Sequence, residues 1–273
     1  MRFIPAHEVH GPAEAPHVAI VLHGILGSRR NWASFARRLA ADHPRWRVVN
    51  VDLRNHGDSH GAIGPHTLGA CARDLVALHA LVGPPTVLIG HSFGGKVALT
   101  YARDLRTPTL RAVWALDAAP GPRAAASGAG EVERVIDAVR LLPLPTPDRS
   151  AVEAHFVELG FSRMLARWMT TNVRPVDGGL TWRFDIDAIE AMLADHGRHD
   201  LWPFLEDPPA GLRVHVLRAG RGDRWTPDDV ARLEAAPVDA PVLPEAGHWV
   251  HVDDPAGLRA LLDASLDAVE AAQ

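Results

Sequence analysis

The chain is almost without cysteine: Cys71 stands alone among 273 residues. A disulfide framework and an all-cysteine metal site are thereby excluded. Long apolar runs are missing too. No stretch reaches the ~18 apolar residues of a membrane-spanning helix, so no membrane span is expected. The N-terminus lacks the charged-then-apolar pattern of a secretory signal, which makes the cytoplasm the expected location. Nor is there a basic block. Lys and Arg total 28 against 33 Asp and Glu, a net charge of -5, and nucleic acid is not an expected partner. Hydrophobic residues at 47% and charged residues at 22% are ordinary for a globular chain. A chain of this length buries most of its apolar surface without staples. The one excess is histidine, 16 residues. It leaves metal binding, acid–base chemistry or neither open.

Five short apolar runs are bounded by Gly, Pro or polar residues: 17–22 (HVAIVL), 47–53 (RVVNVDL), 86–89 (TVLI), 111–116 (RAVWAL) and 213–217 (RVHVL). Continuous, β-branched-rich runs of this length read as strands buried on both faces. Residues 237–243 read as a further strand, and residues 3–9 as an antiparallel edge strand. Between the runs, apolar residues recur at helical spacing: Trp32, Phe35, Ala36 and Leu39; Leu68, Cys71, Leu75, Leu78 and Val82; and finally Leu258, Leu261, Leu262 and Val269, with Pro255 near the start. Strands alternating with helices predict an α/β fold, a mostly parallel central sheet with helices on both faces.

The alternation stops near Pro120. Residues 120–206 open with a Gly, Ala and Ser linker and then show helical patterns, with an ambiguous strand-like alternation at 182–186. The expected organisation is therefore a core of residues 1–119 and 207–273, interrupted after the strand ending near Leu116 by a helical cap at 120–206. Such an insert would lie over the C-terminal edge of the sheet, where open α/β sheets bind ligands.

The chemistry concentrates in three places. Gly90-His91-Ser92-Phe93-Gly94 follows one strand run and opens a helical stretch, the strand–turn–helix context of a G-x-S-x-G nucleophile elbow. A serine on so sharp a turn needs neighbours without bulk, and Gly90 and Gly94 supply the room. The helix that follows aims its first N–H groups at the serine oxygen. His23-Gly24-Ile25-Leu26-Gly27 follows the first buried strand, so the N–H of Ile25 can pair with that of Phe93 as an oxyanion hole. His248, after Gly247 in the last loop, is the expected general base, with His251 as second choice. Two carboxylates compete to orient it: Asp223, beyond the strand at 213–217, is preferred to Asp117, which ends the strand at 111–116.

Together these residues resemble the α/β-hydrolase superfamily almost end to end, with 120–206 matching its cap. Residues 52–59 (DLRNHGDS) and the Lys96 that follows the elbow glycines resemble the small esterase branch around abhydrolase domain-containing protein eleven. That resemblance implies hydrolysis of short to medium acyl esters or thioesters, a small-molecule substrate, and neither metal nor organic cofactor. In such relatives the acid can sit at the station of Asp117. Other chemistries share the triad: carbon–carbon bond hydrolysis, amide hydrolysis and perhydrolysis. A ligand receptor without turnover is the alternative of a different class. Lys96, His23 and His56 read as structural, and Cys71 as an inert buried thiol. His196 and His199 have a metal-compatible spacing, but Gly197 between them disfavours it. Trp168, Trp182 and Trp202 either line an acyl pocket or form the core of the cap.

Overall fold

The apolar runs become the strands of one sheet in a computed structural model that describes residues 3–122 and 130–272. In chain order the first half is β1 (His7–His10), β2 (His17–Leu22), α1 (Ala33–Asp42), β3 (Trp46–Val51), α2 (Leu68–Val82), β4 (Val87–His91), α3 (Phe93–Asp104) and β5 (Ala112–Leu116). The segment at 120–206 follows as α4 (Glu131–Leu141), α5 (Arg149–Glu158), α6 (Arg163–Met169), the hairpin β6 (Val173–Val176) and β7 (Gly179–Trp182), α7 (Ile186–Arg198) and α8 (Trp202–Glu206). The chain then returns as β8 (Arg213–Ala219), α9 (Pro227–Ala235), β9 (Val242–Leu243), α10 (Val250–Asp253) and α11 (Pro255–Ala271).

The seven-stranded sheet has the order β1-β3-β2-β4-β5-β8-β9. Only β1 is antiparallel, against β3; the remaining pairs are parallel. Side chains alternate across the sheet. Ile20, Leu22, Val49 and Val51 pack under α2 and α3. Ala19, Val21, Val48 and Ile89 pack under α1 and α11. Both faces are covered, which is why the strand runs carry no polar alternation. Thr67 caps α2 by accepting from the Ala70 N–H, and Asp254 caps α11 by accepting from Gly257, with Pro255 at the first helical position.

Two strand expectations change. The run at 237–243 yields only Val242–Leu243 as strand, because Pro237 and Pro241 remove ladder donors. The alternation at 182–186 is not a strand beyond Trp182. There Trp182 stacks on Phe184 with centroids 5.1 Å apart, and Asp185 caps α7 through the N–H groups of Asp187 and Ala188. The hairpin before it has only one buried residue at each end, Val173 and Trp182, so its sequence lacks a buried-strand signature. The Gly, Ala and Ser linker falls in large part on residues 123–129, outside the described residues. No helix among the described residues is long and apolar enough to cross a membrane.

Polar contacts pin the 130–206 segment to the 52–59 loop and to α2 and α3. Arg183 Nη1 donates to Asp58 at 2.8 Å, and Asp58 also accepts from Arg29 at 2.7 Å. The Asp185 N–H donates to the Asn55 carbonyl at 3.0 Å, and the Leu68 N–H to Asp195 at 2.9 Å. Lys96 Nζ, on α3 and fully buried, donates to the carbonyls of Gly121 (2.7 Å), His196 (3.1 Å) and His199 (3.2 Å). It thus holds the C-terminal end of α7, where carbonyls lack helical partners. This contact accounts for the lysine beside the elbow glycines and gives it a structural role.

Candidate active site

Ser92 is the single residue between β4 and α3, at φ 53° and ψ -117°. A side chain seldom adopts that conformation, and the turn holds it only because the flanking backbone closes tightly. A Cβ on Gly90 would lie 2.1 Å from the Gly94 carbonyl oxygen, and one on Gly94 would lie 2.5 Å from the His23 carbonyl oxygen. The elbow glycines are therefore a steric requirement. Three further non-glycine residues have left-handed backbone, Leu26 (φ 61°), Asn55 (φ 56°) and Asp117 (φ 48°). Each sits at or near the C-terminal edge of the sheet, the edge that carries Ser92.

Asp117 follows β5 directly, and its carboxylate is fully buried. Oδ2 accepts from His248 Nδ1 at 2.7 Å. Oδ1 accepts from the Ala219 N–H at 3.1 Å and from Trp225 Nε1 at 3.0 Å. The preference for Asp223 as partner of the histidine is corrected here: its carboxylate is 97% exposed, and its nearest charged partner is Arg224, 3.6 Å away. Beyond β8 the chain turns through Gly220 and Gly222, which leaves Asp223 in solvent and brings Trp225 back toward Asp117. His251 stacks on Trp32 with centroids 4.1 Å apart, and its buried Nδ1 has no partner among the described residues. It lacks the orienting carboxylate that His248 has.

The loop after β2 lies against the elbow. A Cβ on Gly24 would be 3.4 Å from Ser92 Cβ. The N–H of Phe93 opens α3, where no helical acceptor exists, and the N–H of Ile25 meets no acceptor among the described residues. Two buried histidines fix this loop. His56 donates from Nδ1 to the Arg54 carbonyl (2.9 Å) and accepts the Leu26 N–H at Nε2 (3.1 Å). His23 donates from Nδ1 to the Gly24 carbonyl (2.7 Å) and accepts the Leu53 N–H (3.0 Å). Each imidazole needs one bare nitrogen, hence the neutral form. Burial pushes His23 down to about 4, and burial with the nearby His23 pushes His56 down to about 3. The loop at 52–59 is itself tied down: Arg54 forms a forked pair with Asp74 (2.7 and 2.9 Å), and Arg29 pairs with Asp52. His91 Nε2 donates to the His248 carbonyl at 2.7 Å. Burial, then the charges of His248 and His251, hold His91 well below its usual range. Three of the 16 histidines, His23, His56 and His91, thus brace the elbow and the loop after β2.

Ser92 and His248 open onto one cavity of about 430 Å³, roofed by Val132, Leu165 and Trp168 from the 130–206 segment. Trp168 lies 5.4 Å from Trp249 across it. Trp182 and Trp202 do not reach the cavity. Trp182 donates to the Val139 carbonyl at 3.3 Å inside the segment, and Trp202 lies buried under Arg232; both belong to the core. His196 stacks on Phe93 at 5.6 Å. Cys71 is buried against Met192, and burial pushes its thiol up, away from reactivity. Arg224 and Trp249 also line the cavity. Neither carries a motif, although Arg224 adjoins the aspartate singled out from the sequence.

A sequence profile described as "Alpha/beta hydrolase family" matches residues 19–261. The sn-1-specific diacylglycerol lipase ABHD11 of Mus musculus is 30% identical over 256 residues, spanning 90% of this chain and 79% of its own. Esterase YbfF of Escherichia coli (strain K12) is 29% identical over 254 residues, spanning 89% of this chain and 90% of its own. Among solved structures, a marine microorganism esterase matches with a TM-score of 0.81 at 25% identity, covering 95% of this chain and 98% of that one.

Proposed function

The chain belongs to the alpha/beta hydrolase family, and we propose that it is a serine esterase working through Ser92, His248 and Asp117. The observation that carries the proposal is the 2.7 Å contact between His248 Nδ1 and the buried Asp117 carboxylate, in a histidine that shares its cavity with the elbow serine. With Nδ1–H donated to Asp117, Nε2 is left as the basic nitrogen. His248 takes the Ser92 proton as Oγ attacks the ester carbonyl. The N–H groups of Ile25 and Phe93 hold the tetrahedral oxyanion. Asp117 stabilises the imidazolium without taking its proton. The imidazolium then protonates the leaving alcohol, and the acyl group stays on Ser92. Water, deprotonated by His248, attacks the acyl-enzyme and releases the acid.

Residues 120–206 act in this scheme as a cap over the acyl chain. The apolar roof and a volume of about 430 Å³ suit a short to medium acyl group, within the size range of small-molecule sites. The relatives named lipase and esterase support ester hydrolysis as the reaction class. Hydrolysis of p-nitrophenyl acetate by wild type and Ser92→Ala is the test. The variant should lose nearly all turnover, because members of a triad act as a unit. Equal rates in the two proteins would overturn the proposal.

A further inference from the structure

We propose that Arg224 is a specificity residue that receives a carboxylate carried by the substrate a short spacer away from the scissile ester. The inference rests on the esterase reading for its reaction and on the cavity alone for its recognition.

Arg224 lines the cavity that holds Ser92 and His248. Its side chain is only 15% exposed. The guanidinium has two carboxylates nearby, Glu131 at 3.9 Å and Asp223 at 3.6 Å, both beyond hydrogen-bond length. Both are solvent-facing, at 62% and 97% exposure, where an ion pair contributes little. Its buried Nε has no acceptor among the described residues. A guanidinium carries five N–H donors in a planar fork. Leaving the buried Nε–H without an acceptor next to an apolar roof is unfavourable, and an incoming carboxylate that bonds Nε and one Nη relieves it with two parallel charge-assisted bonds.

The charge lies close to the reacting end, because Arg224 adjoins Trp225, whose indole donates to Asp117 at 3.0 Å, and lines the cavity beside Ser92 and His248. The spacer is therefore short, of the succinate or glutarate kind. A doubly charged phosphate fits less well. Arg224 is the one Lys or Arg that lines the cavity among the described residues, while Glu131 and Asp253 add two negative charges to its wall. A single carboxylate adds one negative charge to that wall, where a phosphate would add two.

The test compares matched neutral and anionic substrates: p-nitrophenyl butyrate against mono-p-nitrophenyl glutarate for a carboxylate on the acyl side, and butyl acetate against 4-acetoxybutanoate for the alcohol side. Wild type should prefer the anionic member of at least one pair. In Arg224→Gln the anionic-to-neutral ratio of kcat/KM in that pair should fall about 10- to 100-fold, with Arg224→Lys in between. A ratio that stays the same in Arg224→Gln, or a wild type that turns over both pairs without preference, overturns the proposal. A second arm needs no turnover: calorimetric titration of glutarate into Ser92→Ala should show binding that Arg224→Gln in the same background abolishes. Absence of glutarate binding overturns the proposal, whereas binding without any ester turnover would sink the esterase reading and leave this one standing.

Discussion

Asp117 and His248 are 131 positions apart in the chain, and their side chains meet at 2.7 Å. The contact depends on three surrounding features. Asp117 takes a left-handed backbone at the end of β5, which the short polar side chain tolerates. The Ala219 N–H and the Trp225 indole occupy its other oxygen. The residue is buried, so the carboxylate has no water to prefer over the imidazole. A charge held this firmly is suited to fixing the tautomer and orientation of the base.

Asp117→Asn should therefore lower kcat by roughly 10³- to 10⁴-fold, since the amide leaves the wrong nitrogen of His248 protonated. Asp223→Asn should change kcat less than about twofold, because a solvated carboxylate without a buried partner contributes little. Steady-state kinetics on one p-nitrophenyl ester decides it, and the reverse ranking would contradict the assignment.

The three tryptophans should separate by function. Trp168→Ala opens the roof of the cavity and should shift the preferred acyl chain to longer members of a p-nitrophenyl ester series. Trp182→Ala and Trp202→Ala should keep the chain-length preference but lose about 3–5 kcal/mol of stability each, as buried aromatic truncations do. Chemical denaturation beside the substrate series reads both effects.

Acid should destabilise the fold well before its carboxylates protonate. His23 and His251 titrate at about 4 and His56 at about 3 in the folded chain, against about 6.5 when unfolded. The unfolded chain therefore binds more protons below about pH 6.5. The stability these neutral rings contribute is complete above that pH and is lost as pH falls toward about 4, by up to roughly 1.4 kcal/mol per pH unit for each ring. Thermal melts of Ser92→Ala should show Tm falling steeply from pH 6.5 to 4.5. A Tm flat over that window would contradict the neutral bracing.

Lys96→Met removes the donor to three carbonyls while keeping most of the stem's volume. The carbonyls of Gly121, His196 and His199 lose a donor, at a cost of about 1–3 kcal/mol for each group left unsatisfied. Tm should drop, and limited proteolysis should cut first within residues 120–206. Cleavage spread evenly over the chain would show that Lys96 does not hold that segment.

Much of the fold is legible in the sequence, and what is not shares one physical cause. Strands buried on both faces announce themselves as unbroken apolar runs, and β2 to β5 and β8 fall where those runs lie. Ser92 was legible because its turn needs glycines at fixed offsets. Chain position does not give side-chain direction, however. Asp117 and Asp223 both follow strands at the same edge of the sheet, and only the turn at Gly220 and Gly222 decides which one faces inward. The same blindness applies to Trp168 against Trp182, because helical spacing names a buried face without saying whether core or cavity lies behind it. Arg224 carries no motif, and its place in the chain beside Asp223 does not say that it lines the cavity.

The most direct measurement is peptide mapping after reaction with a fluorophosphonate ester. The account predicts one phosphonylated residue, Ser92, with esterase activity lost in step with labelling, and little labelling in His248→Gln. A label on another residue, or full activity retained in protein labelled stoichiometrically at Ser92, would contradict it.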